Sequence, residues 1–282
     1  MFETITIGIK TFLRDEKLFR CIEGIRRNLP KAQIIVADCG DTTREKNDVY
    51  ADLERDGHKV IWMPFDAGFG AMSNAIVDSA VERPYLLIGS DDFDFTPSAA
   101  AGIELLQEVL DTYPHLDVAS GRVRNMPYEF YLYEDEGLVR EHPVLHERSI
   151  LGLPFIECDL TVNYCLVRKE VFWKSKYSDL VEDVIEQRTE ICWDNDVRIG
   201  GGEHGSWFLD LKRAGYKVGW VPGVSIDPQQ GADSELYTQY RNRARSKERP
   251  CFDRRGVKQY VLGTGQIDYE SDGGNKVVPA RP

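Results

Sequence analysis

Apolar residues in the first half of the chain alternate between short runs and stretches with helical spacing. Thr4 to Ile9 is a β-branched run typical of a strand, and Lys17 to Leu29 repeats apolar residues three and four apart, which predicts a helix. Strands alternating with helices predict an α/β fold with a mostly parallel central sheet covered on both faces. Further strands are predicted at Gln33 to Ala37, Lys59 to Pro64 and Pro84 to Gly89, and further helices at Ala71 to Val81 and Ser98 to Tyr113.

The second half of the chain is less regular. Thr161 to Val167 and Lys217 to Val221 are predicted strands, the second closed by Pro222-Gly223, and Trp207 to Ala214 is a predicted helix. No linker is long enough to separate two independent domains. We therefore expect a single domain over residues 1–270, followed by a loose Gly/Pro-rich tail at 271–282.

Three acids, Asp91, Asp92 and Asp94, directly follow the predicted strand that ends at Gly89. Ligands of parallel α/β sheets gather at the carboxyl ends of the strands, and carboxylates there can hold Mg²⁺ or Mn²⁺ together with substrate phosphates. The alternative is a solvated acidic turn that caps the next helix near Thr96. This segment alone leaves both interpretations open.

A second acidic turn, at Asp38, follows the second predicted strand and is expected near Thr11 and Arg14 at the end of the first. A carboxylate in that position can accept hydrogen bonds from a base or a ribose, or it can belong to an ordinary turn. Further along, a run of glycines leads into Glu203 and His204 at the start of a helix. Either residue is of a type that acts as a general base, although a plain flexible loop is the simpler interpretation.

A glycine motif suggests a rival class of enzyme. Gly68-Phe69-Gly70 lies between a strand and a helix and nearly matches the dinucleotide fingerprint of NAD-type oxidoreductases. Ser73 replaces the third glycine, and the motif follows the third strand, whereas the fingerprint belongs to the first strand–helix turn. We therefore hold this interpretation as the weaker one.

Charge excludes some functions. The 282 residues carry 35 Lys and Arg against 47 Asp and Glu, a net charge of −12, which argues against a protein that wraps nucleic acid. No run approaches the roughly 20 apolar residues of a membrane span, no signal peptide is evident, and the cysteines are scattered. We expect a cytoplasmic protein.

Basic residues collect after Ala232, including Arg241 and Arg243, and form either a solvated surface or a cover over a diphosphate.

Taken in order, these segments resemble glycosyltransferases of the GT-A fold, in particular family 2 enzymes and the ganglioside β1,4-N-acetylgalactosaminyltransferases. No single segment is specific, but their order and spacing are. The segments are Ile7 to Arg14, Ile34 to Asp38, Met63 to Phe65, Ser73 to Ala75, Ser90 to Phe93, Gly202 to His204 with Trp207 to Leu209, Ala214 to Val218, and Tyr237 to Arg241.

The resemblance implies a Rossmann-like GT-A domain with a nucleotide-sugar-binding half at 1–120, an irregular acceptor-side half at 121–230 and a basic lid at 231–270. It also implies a UDP-sugar donor, a glycan or glycoconjugate acceptor, Mn²⁺ or Mg²⁺, and an inverting displacement. Glu203 or His204 would be the base, and Asp92, with Asp94 and Asp91 as further candidates, would bind the metal. The donor would contact Thr11, Arg14, Asp38, Phe69, Asn74, Asp91, Arg241 and Arg243.

The sequence departs from the family pattern in four places, one of which is His204, where many relatives carry the catalytic Asp. Ser90 stands where the first acid of the metal motif is expected, Ser73 where an Arg often precedes the Asn, and Pro228 where a metal-binding His is common. These departures keep open a second hypothesis, in which the domain binds sugar nucleotides or glycans without catalysing transfer.

Overall fold

The computed structural model describes residues 2–124, 126–144, 152–177, 184–197, 202–244 and 250–271. Residues 272–282 of the tail predicted at 271–282 therefore lie outside the described residues, as do the side chains of Glu203 and Arg243. The helices are α1 (Asp15–Asn28), α2 (Arg44–Arg55), α3 (Phe69–Ser79), α4 (Pro97–Thr112), α5 (Glu203–Arg213), α6 (Glu235–Ala244) and α7 (Pro250–Asp253). The strands are β1 (Ile5–Thr11), β2 (Gln33–Asp38), β3 (Lys59–Trp62), β4 (Tyr85–Ser90), β5 (Phe93–Asp94), β6 (Val118–Val123), β7 (Phe130–Asp135), β8 (Leu138–Pro143), β9 (Ile156–Cys158), β10 (Cys165–Arg168), β11 (Trp173–Tyr177), β12 (Val184–Arg188), β13 (Val218–Pro228), β14 (Gln259–Val261) and β15 (Ile267–Glu270).

The central sheet confirms the predicted α/β class. Its strands follow the order β3-β2-β1-β4-β10-β6-β13-β5, with β9 also paired to β13. The pairs β3–β2, β2–β1 and β1–β4 are parallel, and β6 and β13 are parallel to each other. Because β2 and β4 flank β1 on opposite sides, the chain reverses its winding between β1 and β4. Ligands of open α/β sheets bind at such a reversal, at the carboxyl ends of the strands.

Helices cover both faces of this sheet. One apolar core joins β1 and β2 to the buried sides of α1, α2 and α4, and a second core joins the opposite face to α3 and α5. The six-residue strand β2 is buried along its whole length, as expected for a central parallel strand. None of the helices in the described ranges is long and apolar enough to cross a membrane.

The structure contains more elements than the sequence predicted, and three differences bear on the architecture. The strand near Thr161 is shorter and antiparallel to its neighbours, as β10. Strand β13 does not stop at Pro222-Gly223 but continues to Pro228, because a register shift between Trp220 and Ser225 absorbs the proline. Helix α2 and a second sheet, of order β15-β14-β8-β7, were not predicted at all.

Candidate functional site

The candidate site lies where the sheet reverses, at the carboxyl ends of β1 and β4. Parallel pairing sets Lys10 of β1 opposite Ser90 of β4 and Thr11 opposite Asp38 of β2. The loop after β1 therefore lies next to the acids that follow β4. Since side chains alternate along a strand, Lys10 and Thr11 point to opposite faces of the sheet and contact different groups of residues.

On the first face, Arg14 binds the buried carboxylate of Asp91. The guanidinium donates through Nε to Asp91 Oδ2 at 3.2 Å and through Nη2 to Asp91 Oδ1, so the contact is bidentate. Thr11 Oγ1 also donates to Asp91 Oδ2, at 2.9 Å. Asp91 has no exposed surface, and both of its oxygens accept hydrogen bonds from protein groups.

The adjacent acid, Asp92, is arranged differently. Arg14 Nη1 donates to Asp92 Oδ2 at 2.9 Å, but the Asp92 side chain stays partly exposed. Burial raises the pKa of Asp91 to about 6 despite the nearby Arg14 charge. Burial also opposes ionisation of Asp92, but Arg14, Ser90 and Lys17 together outweigh burial, and the pKa of Asp92 is lowered. Asp92 is thus the more stable anion of the two.

A divalent cation fits this site only in a limited way. Among the described residues, no group of three or more His, Cys, Asp or Glu side chains forms a ready-made metal site. Asp92 is partly open, and Asp94 is exposed on β5, opposite Asp227 of β13. Mg²⁺ and similar ions are commonly held by one or two carboxylates, with substrate phosphates and water as the other ligands. Asp92 fits that kind of site because its carboxylate is partly exposed, whereas Asp91 is fully buried and both of its oxygens accept hydrogen bonds from protein groups.

Arg14, Lys17, Asp91 and Asp92 belong to one ionic cluster, which residues from the C-terminal part of the chain cover. Asp233 lies 2.6 Å from Lys17 Nζ, 3.7 Å from Arg14 Nη1 and 3.9 Å from Arg241 Nη1, so three cations surround one carboxylate. The ring of Tyr237, on α6, stacks over the Arg14 guanidinium at 4.5 Å. The predicted donor residue Arg241 therefore lies at this site.

Asp38, a predicted contact of the donor, uses both oxygens of its carboxylate in contacts within the protein. Its Oδ1 accepts from the Gly40 backbone N–H at 2.8 Å, and its Oδ2 accepts from the Tyr50 hydroxyl at 2.7 Å. Lys46 Nζ is also 3.0 Å from Oδ2, and the Asp38 side chain has no exposed surface. These contacts tie α2 to the end of β2.

On the other face of the sheet, a cavity lies between α3 and α5. Phe69 at the start of α3 and His204 at the start of α5 both line it, so two predicted site residues meet there. The buried Lys10 lies 5.5 Å from the centre of the Phe69 ring. The cavity lining is completed by Ser73, Ile88, Asn163, Cys165, Trp193, Trp207 and Phe208.

Asn74, a predicted donor contact, instead fixes the segment 193–195. Its Nδ2 donates to the Trp193 carbonyl at 2.7 Å and to Asn195 Oδ1 at 2.8 Å, and its Oδ1 accepts from the Trp193 N–H at 3.0 Å. A Cβ on Gly70 would lie 1.8 Å from the Asp194 carbonyl oxygen, so this segment is packed directly on the first turn of α3. That packing fills the place where an NAD-type motif would hold a pyrophosphate and disfavours the oxidoreductase interpretation.

Several residues of the site were missed by sequence reasoning. Asp233 and Lys17 act through contacts between distant segments, which leave no local sequence pattern. Tyr237 was recognised as part of a family-like segment, but its contact with Arg14 was not predicted. Lys10 did carry a signal, because a lysine inside a β-branched central strand must be buried, and buried lysines are rare without a partner or a function.

No protein-family model matches the chain. The beta-1,4 N-acetylgalactosaminyltransferase 2 of Mus musculus is 31% identical over 255 residues, which cover 84% of this chain and 43% of that protein. The chain thus spans less than half the length of this relative.

Two solved structures are similar in fold. The structure of GalNAc-T7 with UDP, GalNAc and Mn²⁺ has a TM-score of 0.59 and 13% identity over 86% of this chain and 47% of that one. The structure of S. aureus TarS 1-349 with UDP-GlcNAc has a TM-score of 0.54 and 11% identity over 83% of this chain and 61% of that one. The chain therefore has the GT-A fold of glycosyltransferases and is a homologue, over this domain, of the β-1,4 N-acetylgalactosaminyltransferases.

Proposed function

We propose that this domain transfers a sugar from a UDP-sugar to a hydroxyl group of a glycan acceptor, in a metal-dependent reaction that inverts the anomeric centre. The observation that carries the proposal is the position of Asp92, a partly open carboxylate held by Arg14 at the point where the sheet reverses. The names of the sequence relatives and the nucleotides bound to the fold neighbours support the same class of reaction.

In this proposal the ionic cluster binds the diphosphate of the donor. Asp92 would hold Mn²⁺ or Mg²⁺, and the ion would supply positive charge against the charge that develops on the leaving UDP. Arg14 stays on the protein side of the site, because its guanidinium is fixed by Asp91, which also accepts a hydrogen bond from Thr11. Lys17 and Arg241 contribute positive charge, which a bound diphosphate would share with Asp233.

The acceptor hydroxyl would be deprotonated at the start of α5. His204 lines the cavity on the other face of the sheet, and Glu203 precedes it at the first position of the helix. One of the two takes the proton as the hydroxyl oxygen attacks the anomeric carbon from the face opposite UDP. A single displacement inverts the configuration.

Donor binding is tested by titrating UDP with and without Mn²⁺ while following thermal unfolding. A bound ligand raises the midpoint by mass action, so UDP with Mn²⁺ is expected to stabilise the wild type and to stabilise Asp92→Asn much less. Asp52→Asn is the control, since Asp52 is an exposed aspartate on α2 that belongs to no part of the candidate site. Absence of any shift at millimolar UDP would refute the proposal, and an equal response of Asp92→Asn would remove Asp92 from the site.

Catalysis is tested by donor turnover. Glu203→Gln is expected to retain UDP binding and to lose turnover. If His204→Ala shows this loss instead, His204 is the general base. The second hypothesis, a binding module without activity, is motivated by the departures from the family pattern at Ser73, Ser90 and Pro228. Slow hydrolysis of the UDP-sugar to UDP and free sugar would contradict it.

A further inference from the structure

Three aromatic rings meet beside the ionic cluster. Phe12 follows Thr11 at the end of β1, Phe65 follows β3, and Tyr240 lies on α6. Ring centres are 5.4 Å apart for Phe12 and Phe65, 5.3 Å for Phe12 and Tyr240, and 5.6 Å for Phe65 and Tyr240. Phe12 is buried, but Phe65 is 46% exposed. The Phe65 ring is therefore packed against two other rings and remains partly exposed to solvent.

The position of this cluster relates it to the donor site. Phe12 is the residue between Thr11, which binds Asp91, and the turn that carries Arg14. Tyr240 lies one turn along α6 from Tyr237, whose ring covers the Arg14 guanidinium. The segment of Phe65 is fixed at the same edge, because the Asp66 N–H donates to the Cys39 carbonyl at 2.8 Å. An exposed aromatic ring thus stands close to cations suited to phosphate.

Hydrogen bonding of a base to Asp38, which the family resemblance implies, is blocked in this chain by contacts within the protein. The Asp38 carboxylate accepts from Tyr50 and Gly40, contacts Lys46, and has no exposed surface. A base can reach Asp38 only if one of these protein contacts is broken, which would leave a buried polar group unsatisfied. Recognition through the face of the base needs no such exchange, because every base has a π-face that stacks on an aromatic ring.

We infer that Phe65 is the platform on which the pyrimidine ring of the donor nucleotide stacks, with Phe12 and Tyr240 holding Phe65 in place. The inference rests on the proposed function and adds how the nucleoside is bound. It assigns the diphosphate to the ionic cluster and the base to Phe65, so the two parts of UDP are bound by separate groups.

The test is calorimetric titration of the wild type, Phe65→Ala and Phe65→Tyr with UDP and with inorganic pyrophosphate, each in the presence of Mn²⁺. Stacking on one aromatic ring predicts that Phe65→Ala weakens UDP binding about 5- to 100-fold and that Phe65→Tyr restores it. Pyrophosphate affinity is expected to stay within about twofold, because pyrophosphate lacks a base.

Trp62→Ala is the matched control. Trp62 is 45% exposed and lies three residues before Phe65, but it packs on Tyr50 at 5.0 Å and not on the Phe12 cluster. An unchanged UDP affinity in Phe65→Ala, an equal loss of pyrophosphate affinity, or a loss in Trp62→Ala instead would overturn the inference. A wild type that binds no UDP would overturn the proposed function and the inference together, so the two failures are distinguishable.

Discussion

Arg14 and Asp91 form a bidentate ion pair in which the carboxylate has no exposed surface. They lie 77 positions apart in the chain and meet because β1 and β4 are adjacent parallel strands. Pairs of this kind stabilise a fold little in total, because removing both charges from water is costly. Losing one partner alone is expensive, since the other charge stays buried without compensation.

Arg14→Met is therefore expected to lower the free energy of unfolding by about 3–5 kcal/mol. Arg26→Met is the control, because Arg26 pairs with Asp56 at 2.6 Å on the surface, and such pairs are worth about 1 kcal/mol or less. Urea denaturation of both variants gives the comparison. Similar losses in the two variants would show that burial of the Arg14 pair has no special energetic effect.

Much of the fold was predictable from hydrophobic periodicity. The strands and helices from β1 to α4 that bury a full apolar face were predicted within a few residues, except for α2. That helix buries only Lys46, Tyr50 and Leu53, so its apolar signal is too sparse to detect. The second sheet was missed because β8 and β14 pair across more than 100 residues, and pairing at that distance leaves no local pattern.

The site was predictable in place but not in detail. Motif order indicated that Thr11, Arg14 and the acids after β4 belong together, and the described contacts join them. The sequence gives no sign that Asp91 is engaged by Arg14 while Asp92 stays partly open, because that difference depends on burial. Likewise, nothing local shows that Asn74 binds the segment at Trp193.

Asn74 is expected to hold Trp193, which lines the cavity, in its position. Asn74→Ala removes three hydrogen bonds to Trp193 and Asn195, which predicts a loss of about 1–3 kcal/mol in the free energy of unfolding. The Trp193 ring stacks on Trp207 with centres 4.6 Å apart, so tryptophan fluorescence is also expected to change.

Asn28→Ala provides the comparison for this prediction. Asn28 also donates to a distant backbone carbonyl, that of Phe95, at 2.6 Å, but it lies at the end of α1. It is expected to lose stability with little change in tryptophan emission. The role of Asn74 at the cavity is contradicted if the two variants have the same fluorescence.

Two adjacent arginines of the C-terminal segment form ion pairs next to the cavity, and they differ in burial. Arg255 donates to Asp194 Oδ2 at 2.5 Å and to Asp210 Oδ1 of α5 at 2.8 Å, and its side chain is 11% exposed. Arg254 contacts Asp194 and Asp196 but is 46% exposed. Arg255 thus joins the segment after Trp193 to α5.

Arg255→Ala is expected to cost about 3 kcal/mol or more, as for a buried charge pair that loses one partner, and Arg254→Ala about 1 kcal/mol or less. Thermal and urea unfolding measure both losses. Equal losses would mean that Arg255 does not fix α5 more firmly than a surface ion pair does.

Glu141 gives a pH-dependent prediction in the second sheet. Its carboxylate accepts from the Tyr260 hydroxyl at 3.0 Å and from the Gly263 N–H at 2.8 Å, and a Cβ on Gly205 of α5 would lie 2.9 Å from that hydroxyl oxygen. The pair therefore supports the turn that carries His204. Burial raises the pKa of Glu141 above its ordinary value of 4.5, and the hydrogen bonds only partly offset this.

The sign of the effect follows from proton binding. As pH rises from about 4.5 through the raised pKa, the folded protein retains the Glu141 proton that the unfolded chain has already lost, so this group lowers the free energy of unfolding. In Glu141→Gln that titration is absent. The stability of the wild type minus that of the variant is therefore expected to fall as pH increases across this window, measured by urea denaturation at several pH values. Glu157→Gln, at an exposed position on β9, is the control for general carboxylate effects. A difference between wild type and Glu141→Gln that stays constant or grows with pH would mean that the pKa of Glu141 is not raised in the folded state.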